Sequence, residues 1–334
     1  MSDLVKQLLE LINIGATINE ISEILGLTNK QIYNLITIIK NNGYDFERKY
    51  YSTGDIIYLP KKRFYLPEET DRGVTLITTP QEKEITILIM SDPHIGSEYE
   101  RLDLIEKAFT YCIDNNIHII IIGGDFIDGM VGPYGRKHKT NEEQIKYAIK
   151  KYPFDKNIIT FTVLGNHDYK SLKENGQDFS LILKSYRHDI VPLGYGVGQL
   201  NIKNDKIIVL HPLKSNQQVE KFSGARTVII RGHSHKTRIK ILNQSNTIIA
   251  YISSISDRVF SENEIMPGAM LATLRFYNGY ISTITFKQLM LGEKVYTVNE
   301  FNYPLGYSRK IVESQKIKNE EKPPKRLILE KHQQ

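Results

Sequence analysis

Cysteine is nearly absent from this chain: 334 residues contain one, Cys112. Without a partner it forms no internal disulfide, which excludes a cross-linked secreted scaffold and suits a reducing compartment. It lies in an amphipathic segment with Leu104, Ile105, Ala108 and Phe109 and reads as core filling. No apolar run approaches the roughly 20 residues of a membrane span. The apolar stretch 8–14 is too short, and too broken by Glu10 and Asn13, to be that of a signal peptide, so a cytoplasmic location is expected. No internal repeat is visible, nor any phosphate-binding glycine-rich loop of the nucleotide-hydrolase type. Positive charge is plentiful: the net charge of +6 and pI near 9.0 favour a polyanionic partner. Hydrophobic content of 40% and charged content of 25% are ordinary for a globular protein, and the length admits two domains or one with an appendage.

Residues 1–62 have a helical pattern. Leu4, Leu8, Leu11 and Ile12 share one face. Thr17 with Glu20 forms a capping box opening a second helix that carries Ile18, Ile21, Ile24 and Leu25, and Gly26 turns the chain. Thr28 with Gln31 caps a third helix burying Ile32, Leu35, Ile36 and Ile39, which Asn42-Gly43 ends. Residues 44–51, a Ser52-Thr53-Gly54-Asp55 turn and residues 56–59 then read as a β-hairpin. This succession resembles the winged helix-turn-helix domains of the biotin-repressor type over residues 16–59. The resemblance implies DNA binding: Asn29, Lys30, Gln31, Tyr33 and Asn34 would face a major groove, with Arg48 and Lys49 on phosphates. Winged helices also serve as protein-docking modules, and only Lys30 and Lys40 are basic on the third helix.

Residues 63–84 read as a linker with a short strand at 74–78. Residues 85–290 alternate strands with helices predicted over 99–115, 142–151 and 177–186. After His235 the pattern becomes purely strands (239–242, 247–252, 271–276, 280–286), with a hairpin turn at Asn278-Gly279. The expected class is α/β (α+β): a β-sandwich flanked by helices, preceded by the helical domain. Residues 291–334 are expected to form a basic, disordered tail. After about Gly306 it holds eight Lys/Arg against four Glu, contributing +4 of the net charge.

Five clusters carry chemistry: Asp92-Pro93-His94, Gly123-Gly124-Asp125-Phe126-Ile127-Asp128, Gly165-Asn166-His167-Asp168, His211 and Gly232-His233-Ser234-His235. Four follow runs of β-branched residues. Asp92 and His94, one residue apart, emerge on the same face of an extended strand end. Asp125 offers a carboxylate able to bridge two cations, Asn166 a neutral oxygen, and His211, His233 and His235 imidazole nitrogens. Side chains placed at successive strand ends can converge on one two-metal hydrolytic centre. Mixed oxygen and nitrogen donors suit manganese, iron or zinc better than magnesium.

These clusters resemble, in order, all five motifs of the calcineurin-like metallophosphoesterases. The resemblance implies one metal on Asp92, His94, Asp125 and His235. It implies a second on Asp125, Asn166, His211 and His233, with Asp125 bridging and manganese the expected ion. A metal-bridging hydroxide would attack the phosphorus. His167 would be the proton donor, Asp168 would orient its imidazole, and Asp128 would stand behind a ligating histidine. Arg136, Lys137, His138 and Lys139 follow a strand end of the site and are candidates for substrate phosphate contact.

The form of the motifs points toward a substrate class. Serine/threonine protein phosphatases carry an Arg directly after the second Asp and a Glu in place of Asp168. Here Gly129 and Asp168 stand instead, as in the phosphodiesterase and repair-nuclease branch. With the helical domain and basic tail, a DNA-directed phosphodiesterase or nuclease is the leading expectation. The alternatives are a small-molecule or nucleotide phosphodiesterase or phosphatase with a docking module, and a DNA-binding regulator with residual hydrolysis.

Overall fold

The computed structural model describes residues 3–41, 44–60, 73–79, 81–129, 135, 137–138, 140–214, 219–224, 226–243, 245–257 and 267–305. The chain opens with three helices, α1 (Asp3–Asn13), α2 (Ile18–Leu25) and α3 (Asn29–Asn41). Both capping boxes form: Thr17 with Glu20, and Thr28 with Gln31. Gly26 closes α2 at φ 64°, the left-handed position that a C-cap requires. Asn42-Gly43 lies outside the described residues. A hairpin follows, β1 (Phe46–Tyr51) and β2 (Ile56–Pro60), and then β3 (Val74–Ile77).

Alternating strands and helices come next: β4 (Glu84–Met90), α4 (Leu102–Asp114), β5 (Ile119–Ile122), α5 (Asn141–Lys151), β6 (Ile159–Leu164), α6 (Asn166–Asn175), α7 (Phe179–Tyr186) and β7 (Ile190–Tyr195). The remainder is strand: β8 (Val197–Ile202), β9 (Asp205–Leu210), β10 (Thr227–Arg231), β11 (Arg238–Leu242), β12 (Thr247–Tyr251), β13 (Gly268–Tyr277), β14 (Tyr280–Leu291) and β15 (Val295–Pro304). Asn278 (φ 48°) and Gly279 (φ 78°) form the tight turn between β13 and β14.

Two mixed sheets result. One runs β15-β14-β13-β4-β5-β6-β7 and the other β11-β12-β10-β9-β8-β3-β1-β2. The uninterrupted apolar runs of β4 and β5 have a packing reason, because both faces of their sheet are covered. Ile87, Ile89, Ile119 and Ile121 join the core shared with Leu200, Val209 and Ile230 of the other sheet. Leu88, Met90, Ile120 and Ile122 join a second core with Leu104, Phe109, Ile145 and Leu183 from α4, α5 and α7. Among the described residues no helix is long and apolar enough to cross a membrane.

Three sequence expectations are corrected. Residues 295–304, placed in the disordered tail, form β15, antiparallel to β14; residues beyond 305 lie outside the described residues. The stretch 63–84 does more than link: β3 pairs in parallel with β1 (Tyr50↔Leu76) and with β8 (Val74↔Leu200). The N-terminal hairpin is therefore part of the second sheet. Helix α6 was not foreseen, because its polar sequence (NHDYKSLKEN) carries no apolar stripe.

Candidate metal centre

All five clusters sit at carboxyl ends of neighbouring parallel strands. Asp92 and His94 follow β4, Asp125 follows β5, and Asn166 and His167 follow β6, paired through Met90↔Ile122 and Ile122↔Thr162. His211 follows β9; His233 and His235 follow β10, paired through Leu210↔Arg231. This fifth cluster also follows a strand, which the sequence reading had assigned to only four.

The donor atoms gather in three groups, Asp92–His94–His235, Asp125–His211–His233 and, sharing His94 with the first, His94–Asp128–His167. In the first, Asp92 Oδ1 is 3.2 Å from His235 Nε2 and 3.9 Å from His94 Nε2. In the second, His211 Nε2 is 3.1 Å from Asp125 Oδ2, 3.2 Å from Asn166 Oδ1 and 3.3 Å from His233 Nδ1. Asp92 Oδ1 lies 4.0 Å from His211 Nε2, so these two groups adjoin. Ligands at about 2.0–2.2 Å from an ion stand about 3.0–3.5 Å apart across a coordination edge, so the separations of 3.1–3.3 Å fit divalent metals, while Asp92 and His94 stand slightly wider at 3.9 Å. His211 Nδ1 donates to the Gly123 carbonyl at 2.7 Å, which fixes the tautomer and leaves Nε2 toward the donors.

Backbone strain concentrates here. Asp92, His94, Asp125, His233 and His235 all have positive φ (43–74°), half of the non-glycine cases among the described residues. Sites that hold ligands against conformational preference store strain of this kind. Two glycines let the pieces meet: a Cβ on Gly124 (φ 108°) would lie 2.2 Å from His211 Nδ1, and one on Gly165 would lie 2.1 Å from Asp125 Oδ1.

The charges are coupled. Burial opposes ionisation of Asp92, yet His211 and His235 hold its carboxyl below the usual range; Asp125 is lowered in the same way by His211 and His167. Burial works against protonation of His211, but Asp125 and Asp92 push it up to about 9. Burial and then His211 lower His233. Paired acids and bases with opposed shifts mark a functional site.

Residues 85–237 match the family model described as calcineurin-like phosphoesterase. That stretch belongs to this family. It contains every donor named above, and the family makes the chain a metal-dependent phosphoester hydrolase. Among curated proteins the chain is similar to the DNA double-strand break repair protein Mre11 of Methanococcus maripaludis, 22% identical over 293 residues, covering 70% of this chain and 75% of that protein. Among solved structures it is similar to Yfce, a phosphoesterase from E. coli (14% identity, 65% of this chain and 98% of that one, TM-score 0.40). It is also similar to the Pseudomonas putida nuclease MPE (16% identity, 56% and 83%, TM-score 0.32).

Within this phosphoesterase site, His167 Nδ1 bonds to the Asp128 carbonyl, and its Nε2 lies 3.8 Å from Asp125 Oδ2. Asp128 Oδ1 is 3.7 Å from His94 Nδ1 and 3.9 Å from His167 Nδ1, facing both rings. Asp168 does not orient His167, contrary to expectation. Its carboxylate accepts from the backbone N–H groups of Phe126 (3.0 Å), Ile127 (2.9 Å) and Gly165 (2.8 Å), lashing the β5 and β6 loops together. Burial and the Asp125 charge push it up to about 7, against those three donors.

The expected phosphate loop is only partly placed. Lys137 Nζ is paired with the buried Glu100 at 2.7 Å, and His138 packs its ring 4.3 Å from that of Tyr147. Arg136 and Lys139 lie outside the described residues.

Two of the expected DNA contacts are turned inward. Tyr33 is buried and stacked on His188, ring centroids 4.1 Å apart, and Arg48 folds against Tyr58. Asn29 bonds to Asn19 at 3.2 Å, and Gln31 is occupied as a cap. Lys30 and Asn34 are exposed, and Lys49 is half-buried.

Two supports escaped the sequence reading. Ser91 Oγ donates to Asp92 Oδ2, and Ser254 Oγ donates to the Asp92 carbonyl at 2.9 Å. Ser91 adjoins a motif and was within reach; Ser254 lies 162 residues from Asp92 and carries no local signal.

Proposed function

We propose that the chain is a two-metal phosphodiesterase acting on DNA, with His167 as the proton donor. The observation that carries the reading is the pair of adjoining donor groups with His167 at their edge. Asp92, His94, Asp125 and His235 would hold one ion, and Asp125, Asn166, His211 and His233 the other, with Asp125 shared. Bound ions, with manganese suited to these donors, supply an acidified water as nucleophile and positive charge opposite the phosphoryl oxygens. The chain's part is placement. The Asp128 carbonyl anchors His167 Nδ1, so that Nε2 is the nitrogen able to deliver a proton to the leaving oxygen.

A diester is favoured over a monoester at Gly129. Its φ is 59°, and a Cβ there would meet the His167 carbonyl oxygen at 2.4 Å. This backbone excludes the arginine that protein phosphatases place after the second aspartate. DNA is favoured by the similarity to a protein described as acting in double-strand break repair and by the net positive charge. We read α1–α3 with the β1–β2 hairpin as a winged helix, and the basic segment beyond residue 306 as a phosphate-binding arm.

The test compares manganese-dependent cleavage of linear DNA with turnover of bis-p-nitrophenyl phosphate and p-nitrophenyl phosphate. Hydrolysis of DNA and the diester is expected. Turnover of the monoester alone would sink the reading.

A further inference from the structure

The face of α3 that a helix-turn-helix protein would press into DNA instead roofs a cleft of about 680 Å³ against the phosphoesterase domain. Its basic residues come from three separate places: Lys30 on α3, Lys150 on α5 and Lys156 ahead of β6. Two aromatic rings stand open to solvent on its walls, Phe154 (57% exposed) and Tyr186 (72% exposed). Lysines and stackable rings lining one cleft match the chemistry of a single-stranded nucleic acid. The remaining cation, Arg187, is spent internally on Asp189 and on the carbonyls of Tyr152 and Pro153.

The cleft is distinct from the metal centre. Phe154 and Lys156 precede β6 and Asn166 follows it, so six residues of extended strand, roughly 20 Å, separate the two. Duplex is a poor occupant, because α3 enters a major groove only if both its flanks are clear. Tyr33 instead packs its ring on His188, and Tyr58 Oη lies 2.9 Å from His188 Nδ1.

We propose that the cleft between α3 and the α5–α7 face binds a single-stranded nucleic acid, with Lys30, Lys150 and Lys156 on phosphates and Phe154 and Tyr186 stacking on bases. The idea deepens the DNA reading and rests on it only for the ligand's chemical class.

The test measures anisotropy of fluorescein-labelled dT15 with the full chain carrying His167→Asn and loaded with manganese. Combining Lys30→Gln, Lys150→Gln and Lys156→Gln should lower the slope of log affinity against log salt by about 2. Phe154→Ala with Tyr186→Ala should weaken binding by roughly tenfold or more. A charge-matched control, Lys6→Gln with Lys83→Gln and Lys294→Gln, should change the slope by less than half as much. An equal loss in the control, or unchanged binding in both cleft variants, overturns the proposal. Binding is read without hydrolysis, so cleft-dependent binding by a chain that cuts no DNA supports the cleft while removing the substrate assignment.

Discussion

The metal mouth and the seam under α3 both join pieces of chain far apart in sequence, yet they are built in opposite ways. At the mouth the joined groups are charged, nearly dry and held at positive φ, with glycines removed from the path of neighbouring side chains. At the seam they are neutral rings: Tyr33 on His188, Tyr58 bonded to His188, and Tyr50 edge-on to Phe161 at 5.8 Å. The mouth has chemistry to perform and is costly in the folded state. The buried part of the seam is held closed by aromatic burial. Non-glycine residues at positive φ therefore collect at one join and not at the other.

The contrast is broken most severely at Gly124. Gly124→Ala forces a Cβ onto His211 at a φ that alanine resists, so one of the two ions should be lost and hydrolysis of bis-p-nitrophenyl phosphate abolished. Metal content by mass spectrometry beside turnover checks this. Unchanged content would show that His211 can move aside freely.

His167→Asn should lower turnover by about 10²–10⁴-fold while metal content is unchanged. Equal loss of metal and turnover would make His167 a ligand instead. Asp128→Asn keeps the carbonyl that anchors His167 but loses the charge facing His94, so metal affinity should fall by about 10–100-fold, read by competition with a chelator.

The smallest effect belongs to the seam. Burial, then Arg48 and Lys40, push His188 down to about 4, whereas an unfolded histidine titrates near about 6.5. The unfolded chain thus binds the extra proton between those values. Stability is full above about pH 6.5 and declines as pH falls toward 4. Melting temperature should drop by roughly 2–4 °C between pH 7 and pH 5 on this account. His188→Phe keeps a ring for the stack but cannot titrate, so it should flatten that part of the decline. An identical slope in the variant would remove His188 as the cause.

Much of the fold was legible because its signals are local. The runs around Ile87–Ile89 and Ile119–Ile122, the capping boxes of α2 and α3, and the Asn278-Gly279 turn each depend on a few adjacent residues. Helix α6 was hidden by a polar sequence, and β15 by alternating side chains exposed on both faces at a sheet edge, which resemble a solvated tail. Asp168 was misread because its neighbour in sequence, His167, is not its neighbour in bonding; its partners are backbone groups 41 and 42 residues away and at Gly165.

The sequence by itself determined which donors are available and in what order they reach strand ends, because residue type and strand period are properties of short segments. Only the tertiary structure decided which donors share a group, which carboxylate faces His94 and His167, and which side of α3 remains open. Those relations depend on how the two sheets and the helices around them are brought together, and no local spacing encodes that.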